Sequence, residues 1–166
     1  MLTLCLKKRS DGGSALTLER ADGSRVWQRQ DRHAEFFASH DLTHYAVESV
    51  LGIRHAFYGL IADGWDFSSF EKPWPRGPLP ADALWVERFV SLLDVERFQR
   101  SVGGDQFTAA ECNEQLGDAV MRTLTEGDLE AIRACRDECF VAWEATPVGE
   151  TLSLRLLLTP SAEPGA

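Results

Sequence analysis

The 166-residue chain contains no apolar run approaching the ~20 residues needed to span a bilayer, so no membrane helix is expected. Cysteine is scarce. Its four residues, Cys5, Cys112, Cys135 and Cys139, form no C-x-x-C pair, which argues against a zinc ribbon or a dithiol redox centre. A chain of this length can bury a core without bridges, so free thiols in a reducing, cytoplasmic-type compartment are expected. Cys135 and Cys139 would share a helix face and could hold a soft metal, although buried cysteine more often serves as a small hydrophobe.

Positive charge is also short, with 17 Lys and Arg against 26 Asp and Glu and a net charge of −9. Nucleic acid and anionic membrane surfaces are therefore poor partners, because both are bound by neutralising phosphate with Lys and Arg. Lys7-Lys8-Arg9 is three residues beside a turn. A small molecule, a metal ion or another protein, including a second copy in a homo-oligomer, is the expected partner. No secretory leader is expected, since Met1 to Leu6 gives way at once to those three basic residues. Also missing are a Gly-rich phosphate loop, a Gly-x-Ser-x-Gly elbow, a dinucleotide fingerprint, internal repeats and low-complexity tracts.

What the chain does have is apolar and aromatic content, 44% hydrophobic with five Trp and nine Phe, which specifies a folded protein. Leu2, Leu4 and Leu6 alternate with polar residues at strand period. After Asp11-Gly12-Gly13, Ala15 to Arg20 reads as a second strand, and Asp22-Gly23 turns it into a third, Arg25 to Arg29. Residues 31–63 read as helical with a break near Gly52. The prolines of Lys72 to Pro80 make a rigid surface connection. Asp82 to about Arg100 is helical, and Gly103-Gly104 ends it. Thr108 with Glu111 forms a capping box for a helix burying Cys112, Leu116, Ala119 and Val120. Thr125 to Asp128 opens a last helix to about Trp143. Leu152, Leu154, Leu156 and Leu158 alternate as a final strand. The expected fold is α+β: an antiparallel sheet from an N-terminal meander plus a C-terminal strand, packed on four to five helices. One domain, 1–159, is expected, with a disordered tail over 160–166.

The four histidines, His33, His40, His44 and His55, fall within 23 residues. On a helix, with His40 at zero, His44 lies at about 40°, Glu48 at about 80° and Asp41 at about 100°. Leu51 intrudes on this stripe. The rest of the circumference is filled by Leu42, Tyr45, Ala46, Val47 and Val50, the pattern of a buried helix. Ionisable groups on a buried helix must be paired or hold a metal. His40, His44 and Glu48 are thus the candidate metal ligands, with zinc foremost and iron or manganese also suited to two imidazoles and a carboxylate.

Glu48 and His40 stand about 12 Å apart along one helix, so a His40–His44 or His44–Glu48 pair completed from another element is the better arrangement. Glu111, Glu114, Asp118 and His55 are the candidates to complete it. Asp41 and Glu48 are the candidate acid–base residues, Asp41 alternatively orienting a histidine. His33 and His55 are expected to satisfy local hydrogen bonds. Trp65, Trp74 and Trp85 could line a pocket mouth, although core packing is the commoner role for tryptophan.

The stretch His40-Asp41-Leu42-Thr43-His44-Tyr45-Ala46-Val47-Glu48, followed by Phe57-Tyr58-Gly59-Leu60, resembles an uncharacterised family of small bacterial proteins with a similar motif. That family has no settled activity, and His55 stands where it would carry glycine. His40-Asp41-x-x-His44 is also similar to the zinc motif of ubiquinone-biosynthesis accessory proteins, although Ala56 occupies the place of that family's following Glu. Two functions remain: a metal-dependent hydrolase, or a non-catalytic accessory or binding domain. In the second, the same residues bind a regulatory metal or form a structural hydrogen-bond network.

Overall fold

The computed structural model describes residues 1–31, 33–117 and 122–158. The leucine alternation produces three antiparallel strands, Leu2–Lys8 (β1), Ser14–Arg20 (β2) and Arg25–Gln30 (β3). At each turn an aspartate accepts an amide two residues on, Asp11 from Gly13 and Asp22 from Ser24. Thr151–Leu156 (β4) pairs with the free edge of β1, giving the order β3-β2-β1-β4. The register places Leu4 opposite both Leu18 and Leu154. Leu2, Leu4, Leu6, Leu16, Leu18 and Leu156 therefore share one face and are buried, each contributing ~1.5–3 kcal/mol. Trp27 lies on the opposite, exposed face.

Five helices follow: Ala34–Leu51 (α1), Phe57–Ala62 (α2), Ala81–Ser101 (α3), Ala109–Leu116 (α4) and Glu126–Ala145 (α5). A single 3-10 turn spans Phe67–Phe70. The fold is α+β. No helix is long and apolar enough to cross a membrane, among the described residues. The expected capping box of Thr108 with Glu111 forms, and a second, Thr125 with Asp128, opens α5. Asp118, Ala119, Val120 and the tail lie outside the described residues.

α1 is apolar nearly all round because it is a middle layer. Ala38 and Leu42 pack toward the sheet with Tyr58 and Ile61. Ala46 and Val47 pack the other way, into a core with Phe89, Val90, Leu93 and Ile132. The helix stops at Gly52, whose positive φ of 65° permits the left-handed cap. α3 and α5 are tied by a buried ion pair in which Glu96 accepts from Arg133.

Trp85 belongs to the core, whereas Trp65 and Trp74 are half-buried. Cys139 packs in the sheet-side core, and Cys135 packs partly buried against both cores.

Candidate metal centre

Spacing of four on α1 brings His40 and His44 onto successive turns of one face, their rings 4.8 Å apart. α3 runs antiparallel across that face, so the earlier histidine meets the later acid. Nδ1 of His40 lies 2.7 Å from Oδ2 of Asp94, and Nε2 of His44 lies 3.1 Å from Oε2 of Glu87. The other oxygen of Glu87 is 3.8 Å from Nε2 of His40. One nitrogen from each imidazole and one oxygen of Glu87 lie within 4.8 Å of one another. Among the described residues this is the one group of three such donors placed to hold an ion.

The remaining nitrogen of His44, Nδ1, faces Oε1 of Glu48 at 3.4 Å. The contact is too skewed for a hydrogen bond, and neither atom has another partner. The other oxygen of Glu48 accepts the amides of Tyr58, at 2.9 Å, and Gly59, at 3.3 Å. Glu48 is fully buried between His44 and the first turn of α2. Each imidazole therefore has its own carboxylate on Nδ1, Asp94 or Glu48, and the two share Glu87 on Nε2. In metal sites a carboxylate on the far nitrogen fixes the ring and raises its basicity.

Gly59 makes this arrangement possible. A Cβ there would stand 1.6 Å from the carbonyl oxygen of Arg54. Only glycine lets residues 53–56 fold back closely enough to aim the start of α2 at Glu48.

Electrostatics follow from burial and pairing. Burial pulls the His44 pKa down, but Glu48 and Glu87 on its two edges outweigh that and raise it to about 9. Burial raises the Glu48 carboxyl, an effect that His44 and the two amides only partly offset. Hydrogen bonding to His44 holds Glu87 below the usual glutamate range. His44 without metal is thus an imidazolium between two acids, with a proton where an ion would sit.

The residues singled out by sequence are dispersed as follows. His40 and His44 come together as expected. Glu48 stands behind His44, on the ring edge away from Glu87. Asp41 turns toward the sheet, where it accepts from Gln30 Nε2 at 2.6 Å, and burial raises its pKa to about 6. Glu111 is committed to the α4 cap, and Glu114 is exposed on the same short helix. His55 is exposed, 3.7 Å from Asp82, and His33 is exposed at the start of α1 in a left-handed conformation. Glu87 and Asp94 were not anticipated. Their separation of seven on α3 is the one signal that could have indicated a shared face.

No family model, curated protein or solved structure matches the chain.

Proposed function

We propose that the chain is a divalent-metal protein whose ion is held by His40, His44 and Glu87, and that it acts as a metal-dependent hydrolase on a small substrate. The observation that carries this reading is the convergence of three donors at an accessible edge. The Glu87 side chain is 56% exposed, whereas His44 is 6% exposed. Glu87 also borders a hollow of about 220 Å³ with Arg88, Ser91 and Gln115. Three protein ligands with room beside them fit a catalytic site better than a closed structural one.

Two imidazoles and one carboxylate are the donor set of zinc hydrolases, and iron(II) and manganese use it too. A bound ion would supply Lewis acidity and lower the pKa of a coordinated water. The side chains have separable tasks. Glu48 and Asp94 orient the imidazoles, leaving Nε2 for the ion. Glu87 presents Oε2 to Nε2 of His44 and Oε1 to Nε2 of His40, so it would share the ion with both imidazoles. Asp41, held by Gln30, anchors α1 to β3 and acts from behind the histidines as a positioning residue.

One observation favours the accessory-domain reading. Each imidazole already has a close carboxylate without metal, His40 with Asp94 and His44 with Glu87, as a helix-locking network would. Elemental analysis of untagged protein separates the two. A stoichiometry near one transition-metal ion per chain, lost in Glu87→Gln with unfolding unchanged, supports the metal protein. Less than about 0.2 equivalents after growth or reconstitution with zinc, iron and manganese, together with lower stability of Glu87→Gln, supports the network.

A further inference from the structure

We infer that a second site, distinct from the histidine cluster, binds a small organic anion carried on a flat apolar body. A cavity of about 680 Å³ opens where the end of β1, the first turns of α1, the C-terminal part of α3 and the end of α5 meet. That volume is in the range of small-molecule sites.

Its lining is cationic in a protein of net charge −9: Lys8, Arg9 and Arg97 all contribute. These three differ in how they are neutralised. Arg9 is held by Asp11 and Asp31. Lys8 donates to the backbone oxygen of Glu144 at 3.0 Å and lies 4.9 Å from the centre of the Trp143 ring, with no carboxylate in reach among the described residues. Arg97 has no acidic partner among them either. Its Nε is buried without a hydrogen-bond acceptor, and its guanidinium lies 5.8 Å from the centre of the Phe140 ring.

Arg97 thus brings to this lining a guanidinium with no acidic partner among the described residues, and an oxyanion in the cavity would supply one through short charge-assisted bonds. The cations are half-buried, whereas the carboxylates on the lining, Glu35 and Glu144, are exposed. An entering anion thus passes acids at the rim and meets bases deeper in. The acidic rim and overall charge disfavour a polyanion, so the ligand is small. Phe36 and Trp143 supply aromatic surface for its body.

The test is calorimetry on the full chain with benzoate and phenyl phosphate, using benzylamine and inorganic phosphate as comparators, with two-dimensional NMR to locate binding. We expect saturable binding of at least one aromatic anion, about tenfold or more tighter than benzylamine or inorganic phosphate. The Trp143 indole N–H should shift. Arg97→Gln and Lys8→Gln should each weaken binding about tenfold or more, and Arg97→Lys less. Preference between the two anions identifies the head group as carboxylate or phosphate. Absence of saturable binding at millimolar ligand would overturn the inference. So would affinity unchanged in both Gln variants, or shifts that spare Trp143. Lys8→Gln keeps the test decisive should Arg97→Gln fail to fold.

Discussion

Glu48 and Glu87 bracket a single imidazole, one 3.4 Å from Nδ1 of His44 and the other 3.1 Å from Nε2. The two acids differ in almost every other respect. Glu48 is buried and bonded to backbone amides, whereas Glu87 is largely in solvent. One is built to hold and the other to exchange partners, and the two should respond differently to substitution.

Glu87→Gln keeps size and shape but loses the charge. Metal content should fall from near one equivalent to below about 0.2, while thermal unfolding of the metal-free protein moves little because the side chain is exposed. Glu114→Gln, on α4, should leave metal content unchanged. Elemental analysis and a thermal melt of each variant check this.

Glu48→Ala should be severe. It leaves His44 with one acid fewer and strips two buried amides of their acceptor, a loss of ~3–5 kcal/mol by urea denaturation. Glu48→Gln should cost less, because its carbonyl oxygen can still accept from Tyr58. The His44 pKa should fall in that variant, visible as an earlier midpoint in an NMR titration.

Stability of the metal-free protein should decline as pH rises from about 6.5 to about 9. The folded pKa of His44, about 9, is raised above its ordinary 6.5. The folded state therefore binds the extra proton more tightly, and that contribution is complete below 6.5 and lost as pH passes 9. Asp41 has the same sign in a lower window, from its ordinary 3.8 to about 6. Urea midpoints across pH should show the upper decline in the parent chain and a flatter profile in His44→Gln.

Gly59→Ala should disrupt the site without touching a ligand. Its Cβ would need the Arg54 carbonyl to retreat from 1.6 Å to ordinary contact, pulling α2 away from Glu48. A loss of ~2 kcal/mol or more is expected, together with weaker metal retention.

The sheet was legible because strand period, Asp22-Gly23 and the alternating Leu152, Leu154 and Leu156 are local signals that the register then satisfies, with β4 ending at Leu156, short of the expected Leu158. The capping boxes at Thr108 and Thr125 are equally local. Half of the centre was legible for the same reason: His40 and His44 lie on one helix, and their spacing alone makes them neighbours. The other half depends on which helix crosses them. α3 carries Asp82, Glu87, Asp94 and Glu96, and nothing in their order says that Glu96 turns to Arg133 while Glu87 and Asp94 turn to α1. Helical geometry puts Glu48 on the histidine stripe, but it does not foretell that the start of α2, folded back over Gly59, takes one of its oxygens with two amides while the other faces Nδ1 of His44.

The antiparallel crossing of α1 and α3 makes the centre sensitive to length as well as to chemistry. Seven residues separate Glu87 from Asp94, about 20° short of two full turns. A single insertion between them would swing one acid roughly 100° around α3 and off the crossing. His40 or His44 would then be stranded even though every side chain of the set remained in the chain. This stretch of α3 works as a spacer of fixed count, tolerant of changes in its outward residues and intolerant of gaps.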